Sequence, residues 1–130
     1  MKFQYFRIAS LLLTCCWIAA IYHLSSQSDI NFEISFAAKD KLFHMAAYGL
    51  LGVFILGIMR PNPTGYSYNQ VALATLMATV YGITDEWHQS YVPGRSADPL
   101  DLVADFLGAL LATWAVRAFM RRRLAQQLRS

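Results

Sequence analysis

Between positions 81 and 105 the sequence places five acids, one histidine and one arginine close to two long apolar runs. Ionisable side chains are costly beside hydrocarbon, and where they are retained they usually face the protein interior and carry function. Asp40 and His44 add the same residue types at the start of an earlier apolar run. We therefore expect the chemistry of this protein to lie in this set of residues.

The residue types suit acid–base work on a substrate that carries negative charge. His88 or His44 can carry a proton, and Asp85 or Glu86 can orient the imidazole. The planar fork of Arg95 suits an anionic group such as a phosphate. We predict His44, Asp85, Glu86 and His88 as catalytic residues. The predicted substrate-binding residues are Arg95, Asp40, Tyr48, Gln89, Asp101 and Asp105.

Several of these residues also have a purely structural interpretation. An isolated histidine such as His44 is more often a hydrogen-bonded packing residue than a ligand. Asp85, Glu86 and His88 can be read as metal ligands, but hard oxygen donors beside a single histidine are a weak signature. We therefore predict no metal site, and the sequence identifies no cofactor.

The composition indicates an all-α membrane protein. Hydrophobic residues make up 56% of the 130 residues and charged residues 15%, against roughly a quarter charged in soluble domains. The length predicts one domain over residues 1–130. Crossing the hydrocarbon core takes about 20 residues, and four apolar segments come close to that length. They span residues 6–24, 40–59, 70–88 and 98–120.

The charged residues are segregated as in a polytopic membrane protein. All eight acids fall at one set of segment ends, together with Lys39, Lys41 and Arg95. The other set carries Lys2, Arg7, Arg60, Arg117, Arg121, Arg122, Arg123 and Arg129. Because Lys and Arg are retained on the cytoplasmic side, we predict four crossings, both termini inside and a basic cytoplasmic tail over residues 121–130. The basic excess thus requires no nucleic acid, and membrane lipids are the expected partners.

Local signals predict how the segments begin and how they are joined. Asp40 and Asp98 are predicted N-caps, and Asp98 is followed by a proline suited to the first helical position. Pro93 and Gly94 have the residue types of a type II turn that presents Arg95. Arg95 can then fold over the acids as their counter-charge or bind an anion from outside. Residues 30–36 alternate apolar and polar positions, which suits either an extended surface segment or a link.

Helical periodicity predicts that the polar residues converge. Residues spaced by three or four positions share a helix face. Small residues beneath them favour close contact between helices. The aligned sets are Asp40, His44 and Tyr48; Ala74, Ala78, Tyr81, Asp85 and His88; and Asp101, Asp105, Gly108 and Ala112. We expect one cluster near the outer interface.

Four separated motifs together resemble the VanZ-like family of small bacterial membrane proteins. They are Asp40-Lys41-x-x-His44 with Tyr48; Tyr81-Gly82-x-x-Asp85-Glu86-x-His88-Gln89; Pro93-Gly94-Arg95-Ser96; and Asp101 followed by Asp105-Phe106-x-Gly108-Ala109. The similarity covers roughly residues 20–112 and includes Ser25-Ser26-Gln27. It implies a multi-pass protein of the bacterial cytoplasmic (inner) membrane. The founding member is associated with resistance to teicoplanin, but the family brings no secure reaction, substrate or cofactor.

One position departs from the family pattern, which often has asparagine where this chain has Asp105. An amide both donates and accepts hydrogen bonds, whereas an ionised carboxylate only accepts. If the family uses this position as a donor, Asp105 must hold a proton or its role has changed.

Two functions remain open from the sequence. The cluster can act on or bind a lipid-linked or cell-wall component, or it can be a structural element of a non-catalytic accessory protein. A continuous proton or ion path is disfavoured because the cytoplasmic halves of the segments carry almost no ionisable groups. The sequence does not define an oligomeric state.

Overall fold

The computed structural model describes residues 2–28 and 37–129, which form four helices and no strand. In chain order these are α1 (Lys2–Ser25), α2 (Ala37–Ile58), α3 (Tyr68–Gln89) and α4 (Pro99–Gln127). The predicted number and order of helices are confirmed. The prediction for residues 30–36 lies outside the described residues.

Three of the helices are long and apolar enough to cross a membrane. The spans are Phe3–Ser25, Asp40–Ile58 and Pro99–Gln127. Large apolar side chains such as Leu12, Leu76 and Phe119 are exposed on the outside of the bundle. In water such a surface would be a liability, whereas lipid is a suitable solvent for it. The chain is therefore an all-helical protein with the features of a membrane protein.

Two helix starts follow from local sequence, and a third differs from the prediction. Asp98 caps α4 by accepting a hydrogen bond from the Leu100 N–H at 2.9 Å, and Pro99 occupies the first turn, as predicted. Ser67 and Gln70 form a capping box at the start of α3. Asp40 is not the N-cap of α2, because that helix already begins at Ala37 and Asp40 lies in its first turn.

The α3–α4 connection contains the predicted tight turn. The Arg95 N–H donates to the Val92 carbonyl at 3.1 Å, and Gly94 has a φ of +81°. A positive φ at the third position of a turn is the condition that glycine meets without strain. The turn is short, so it places the start of α4 beside the end of α3.

Small residues allow α2 and α4 to pack closely. These two helices share the most extensive contact in the bundle. A Cβ on Gly108 would overlap the Met45 backbone, and one on Gly49 would lie 3.1 Å from the Gly108 carbonyl oxygen. Backbone atoms cannot rotate away as a side chain can, so this contact requires glycine. The predicted alignment of small residues on α4 is therefore used within the bundle.

Replacing Gly108 with alanine is expected to lower the stability of the fold. The added methyl group would force α2 and α4 apart, and overpacking of this kind costs about 1–3 kcal/mol. The matched control is Gly52→Ala, whose new Cβ would meet the Thr113 and Ala109 side chains at 3.1 and 3.3 Å rather than overlap a carbonyl. Thermal unfolding in detergent should show a lower Tm for Gly108→Ala than for Gly52→Ala. Equal Tm values would mean that the close approach is not limiting.

Candidate functional site

Four helix ends bring the polar residues to one end of the bundle, which we call the acidic end. The N-terminal ends of α2 and α4 meet there with the C-terminal ends of α1 and α3. Its described acids are Asp40, Asp85, Glu86, Asp98, Asp101 and Asp105. The predicted convergence of polar groups from α2, α3 and α4 is therefore found, although not all of the predicted residues share one network.

The deepest pair is formed by His44 on α2 and Asp105 on α4. His44 Nδ1 lies 2.9 Å from Asp105 Oδ1, and the Asp105 carboxyl group is fully buried. This hydrogen bond fixes the imidazole and leaves Nε2 as the nitrogen available to another group. The second oxygen of Asp105 has no partner in the described structure and occupies the space where a Cβ on Gly82 would lie. The Asp105 carboxylate is therefore only partly satisfied.

Asp85 joins α3 to the same network. Its Oδ2 accepts hydrogen bonds from the Tyr48 hydroxyl at 3.0 Å and from Gln89 Nε2 at 3.1 Å. All three side chains are buried. Tyr48 and Gln89 thus lie beside this acid, while their predicted role in substrate binding stays a prediction. The other oxygen of Asp85 is buried without a hydrogen-bond partner, so Asp85 can still accept from a ligand or a water molecule.

A second group of contacts ties the start of α4 to α2 and α3. Glu86 Oε2 accepts from the Asp98 N–H at 2.8 Å. Lys41 Nζ lies 2.5 Å from both Asp98 Oδ2 and Asp101 Oδ1. The hydrogen bond from Lys41 lowers the pKa of the Asp98 carboxyl group below its usual value. Lys41 thus supplies positive charge to the acidic end.

Lys41 was not among the predicted site residues. Its position next to Asp40, at the segment ends that carry the acids, was the available signal. A group of buried acids needs a counter-charge, but charge balance did not distinguish Lys41 from Lys39 and Arg95 at the same segment ends.

Arg95 was predicted either to act as a counter-charge to the acids or to bind an anion, and it forms no ion pair with the described acids. No carboxylate in the described parts of the chain lies within ion-pair distance of Arg95. Its Nε is buried and lacks a hydrogen-bond partner within those residues. The turn at Gly94 packs instead toward the end of α1, where an added Cβ would lie 3.0 Å from the Ser28 carbonyl oxygen. The alternative role, binding an anion, remains a prediction.

His88 lies apart from the His44 network and faces α1. Its Nε2 is 2.9 Å from the Ser26 hydroxyl, and its ring stacks on Tyr22 with centroids 4.6 Å apart. His88 and Tyr22 border a cleft of about 440 Å³ between α1 and α3. The residues that line this cleft are Tyr22, Tyr81, Thr84, Asp85, Trp87, His88 and Tyr91. Asp85 borders both this cleft and the buried network. We call this space the aromatic cleft.

Three residues at the acidic end have the geometry of possible metal ligands. One ligand atom each from Asp40, His44 and Asp101 lies within 4.8 Å of the others. The Asp85, Glu86 and His88 set considered from the sequence does not form such a group in the described structure. Lys41 already contacts Asp101, so a cation at these three residues would have to displace an ammonium group or share its carboxylate.

Removing His44 should destabilise the protein through the acid it leaves behind. Loss of one partner of a buried pair costs about 3–5 kcal/mol, because the remaining charge has no compensation. Thermal unfolding in detergent should therefore show a large fall in Tm for His44→Ala. Adding Asp105→Asn to the His44→Ala variant should recover part of the lost Tm, because the side chain at position 105 is then neutral. Simple additivity of the two changes would contradict the pairing.

The comparisons with known proteins identify the family of the chain. A family model described as VanZ/LLP1 matches residues 3–121, a range that includes the buried network and the aromatic cleft. No match was found among curated proteins or among solved structures. The resemblance indicated by the four sequence motifs is confirmed, and the chain belongs to the VanZ/LLP1 family.

Proposed function

We propose that the protein crosses the bacterial cytoplasmic membrane four times, with both termini inside and the acidic end outside. The segregation of charge supports this topology. Arg7, Arg60 and residues 117–123 lie at the end of the bundle opposite to the described acids, as the retention of arginine on the cytoplasmic side requires. α3 is not among the three helices that are long and apolar enough to cross a membrane, but its polar residues Thr75, Asp85 and Gln89 are buried within the bundle.

Labelling of single cysteines would test this topology. Cys15 and Cys16 are first replaced by serine, and then Ser96→Cys or Thr64→Cys is introduced into an exposed connection. A membrane-impermeant maleimide added to intact cells should label the Ser96→Cys variant. The Thr64→Cys variant should react only after permeabilisation. Labelling of both from the same side would exclude α3 as a crossing.

We propose further that the aromatic cleft binds a lipid-linked or cell-wall component at the outer surface of the membrane. The observation that carries this proposal is that one cleft is lined both by aromatic rings and by the polar side chains of His88 and Asp85. A lipid-linked molecule has an apolar chain and a polar head. The aromatic rings of the cleft can contact the chain, and its polar side chains can contact the head. The cleft lies at the acidic end, where outer headgroups would lie in the proposed topology.

Acid–base chemistry at this cleft is the enzymatic form of the proposal. His88 Nε2 lies 2.9 Å from the Ser26 hydroxyl, and the Asp85 side chain lines the same cleft. In that form His88 transfers the proton, and Asp85 accepts a hydrogen bond from the bound component. Tyr48, whose ring stacks on that of His44, and Gln89 then hold Asp85 in place through hydrogen bonds to its Oδ2.

The alternative function is that of a non-catalytic accessory or binding protein whose polar cluster only joins the helices. The observation that favours it is the pairing of the network, in which His44, Asp85, Glu86 and Lys41 all have partners. Under this alternative, substitutions in the network lower the amount and the stability of the protein, and conservative replacements restore its function.

Binding measurements on two histidine variants test whether the ligand binds in the aromatic cleft. His88→Ala should abolish binding of a lipid-linked cell-wall precursor to the purified protein, because it removes the polar group held in the cleft. The matched control is His23→Ala, an exposed residue in the last turn of α1, which should leave binding unchanged. Both proteins should insert in equal amounts.

The same variants can be tested in cells for a link to glycopeptide resistance. If this member shares the resistance associated with the founding member of its family, expression in a susceptible bacterial host should raise the teicoplanin concentration needed to stop growth. His88→Ala should remove that effect. Full binding and full effect in the His88→Ala protein would contradict the role of the cleft.

A further inference from the structure

The opposite end of the bundle contains a buried arginine without a carboxylate partner. Arg117 on α4 is only 7% exposed, although it carries a positive charge. No carboxylate within the described ranges 2–28 and 37–129 lies within ion-pair distance of it. Its Nε is enclosed and has no hydrogen-bond partner there. A buried charge that is not compensated is strongly unfavourable, so an anion supplied from outside the chain would be stabilising.

The surroundings of Arg117 are suited to an anion. Its guanidinium carbon lies 3.6 Å from the centre of the Tyr68 ring, so the ring covers one face of the planar group and leaves the edge free to donate hydrogen bonds. Tyr68 is the first residue of α3, and the N-terminal end of a helix carries partial positive charge. The helix end and the arginine therefore attract the same kind of ligand.

A second arginine lies one turn further along α4. The turn between α2 and α3 packs against α4 there, and a Cβ on Gly65 would lie 3.5 Å from Arg121 Cγ. Arg121 is exposed, and it follows Arg117 by four residues, on the same side of the helix. The sequence has no acid at this end of the bundle that could neutralise the two arginines. The unpaired charges thus converge beside the start of α3.

We propose that Arg117, Tyr68 and Arg121 form a binding site for a phosphate group. Arginine binds phosphate through two parallel N–H donors, and a guanidinium held by an aromatic ring is already oriented for this contact. The phosphate can belong to the headgroup of an anionic membrane lipid or to a free phosphate anion. This site is separate from the aromatic cleft and does not depend on the function proposed for it.

Lipid binding to the purified full-length protein in detergent tests the proposal. Native mass spectrometry measures the affinity for phosphatidylglycerol and for phosphatidylcholine with the same acyl chains. The wild-type protein should bind phosphatidylglycerol more tightly, because the choline group of the other lipid repels the arginines. Arg117→Gln should weaken binding of phosphatidylglycerol about tenfold or more, which is the usual effect of losing a charge-assisted contact.

The matched control is Arg123→Gln, which removes the same charge from the same helix. Arg123 is exposed and lies over the Phe119 ring, 4.9 Å from its centre. It resembles Arg117 in its aromatic contact but differs in burial. Arg123→Gln should retain the affinity of the wild-type protein. An equal loss in both variants would show that only overall charge matters, and it would overturn the proposal, as would equal binding of the two lipids by the wild-type protein.

Competition with sodium phosphate identifies the source of the phosphate group. Displacement of phosphatidylglycerol by millimolar phosphate would assign the site to a soluble anion, and resistance to displacement would assign it to the lipid. Tyr68→Leu provides a second variant if Arg117→Gln fails to fold, because Tyr68 is 64% exposed and is not part of the core. It should weaken phosphatidylglycerol binding roughly threefold through loss of the ring that aligns the guanidinium. Unchanged binding in Tyr68→Leu would also overturn the proposal.

Discussion

The contact between α2 and α4 is the constraint on which the acidic end depends. Because Gly108 has no side chain, the α4 backbone can approach the Met45 backbone. That approach brings His44, which is next to Met45, within 2.9 Å of Asp105, three residues before Gly108. If a methyl group on residue 108 moved the two helices apart, the His44 imidazole would no longer reach the Asp105 carboxylate. A packing feature in the apolar core thus determines the polar chemistry above it.

The buried acids explain why this end of the bundle is held together by hydrogen bonds rather than by apolar contact alone. Each carboxylate removed from solvent must recover the hydrogen bonds it loses. Tyr48 and Gln89 donate hydrogen bonds to Asp85, and the Asp98 N–H donates one to Glu86. Lys41 forms an ion pair with Asp101. Each of these acids recovers part of its hydrogen bonding from another helix or from the α3–α4 connection. The network therefore fixes the relative positions of the helices, and one oxygen each of Asp85, Glu86 and Asp105 is left over.

Much of the fold could be predicted from the sequence because its signals are local. The cap at Asp98, the proline at position 99 and the glycine turn follow from backbone geometry, and helical spacing places His44 and Tyr48 on one face. The partners across helices could not be predicted in this way. Periodicity states which side of a helix a residue occupies, but it does not state which helix covers that side. This is why Lys41 was missed, and why the sequence left two roles open for Arg95.

The geometry of α3 explains why His88 and Asp85 divide between two environments. At 3.6 residues per turn, His88 lies within about 20° of Tyr81, while Asp85 is displaced from Tyr81 by about 40° in the opposite direction. Tyr81 and His88 accordingly contact α1, and Asp85 reaches Tyr48 on α2 while still lining the aromatic cleft. Asp85 is thus shared by the cleft and the buried network. A movement of the Asp85 side chain within the cleft would alter its hydrogen bond with the Tyr48 hydroxyl, so the packing of the cleft and the packing of α2 against α3 are linked at this residue.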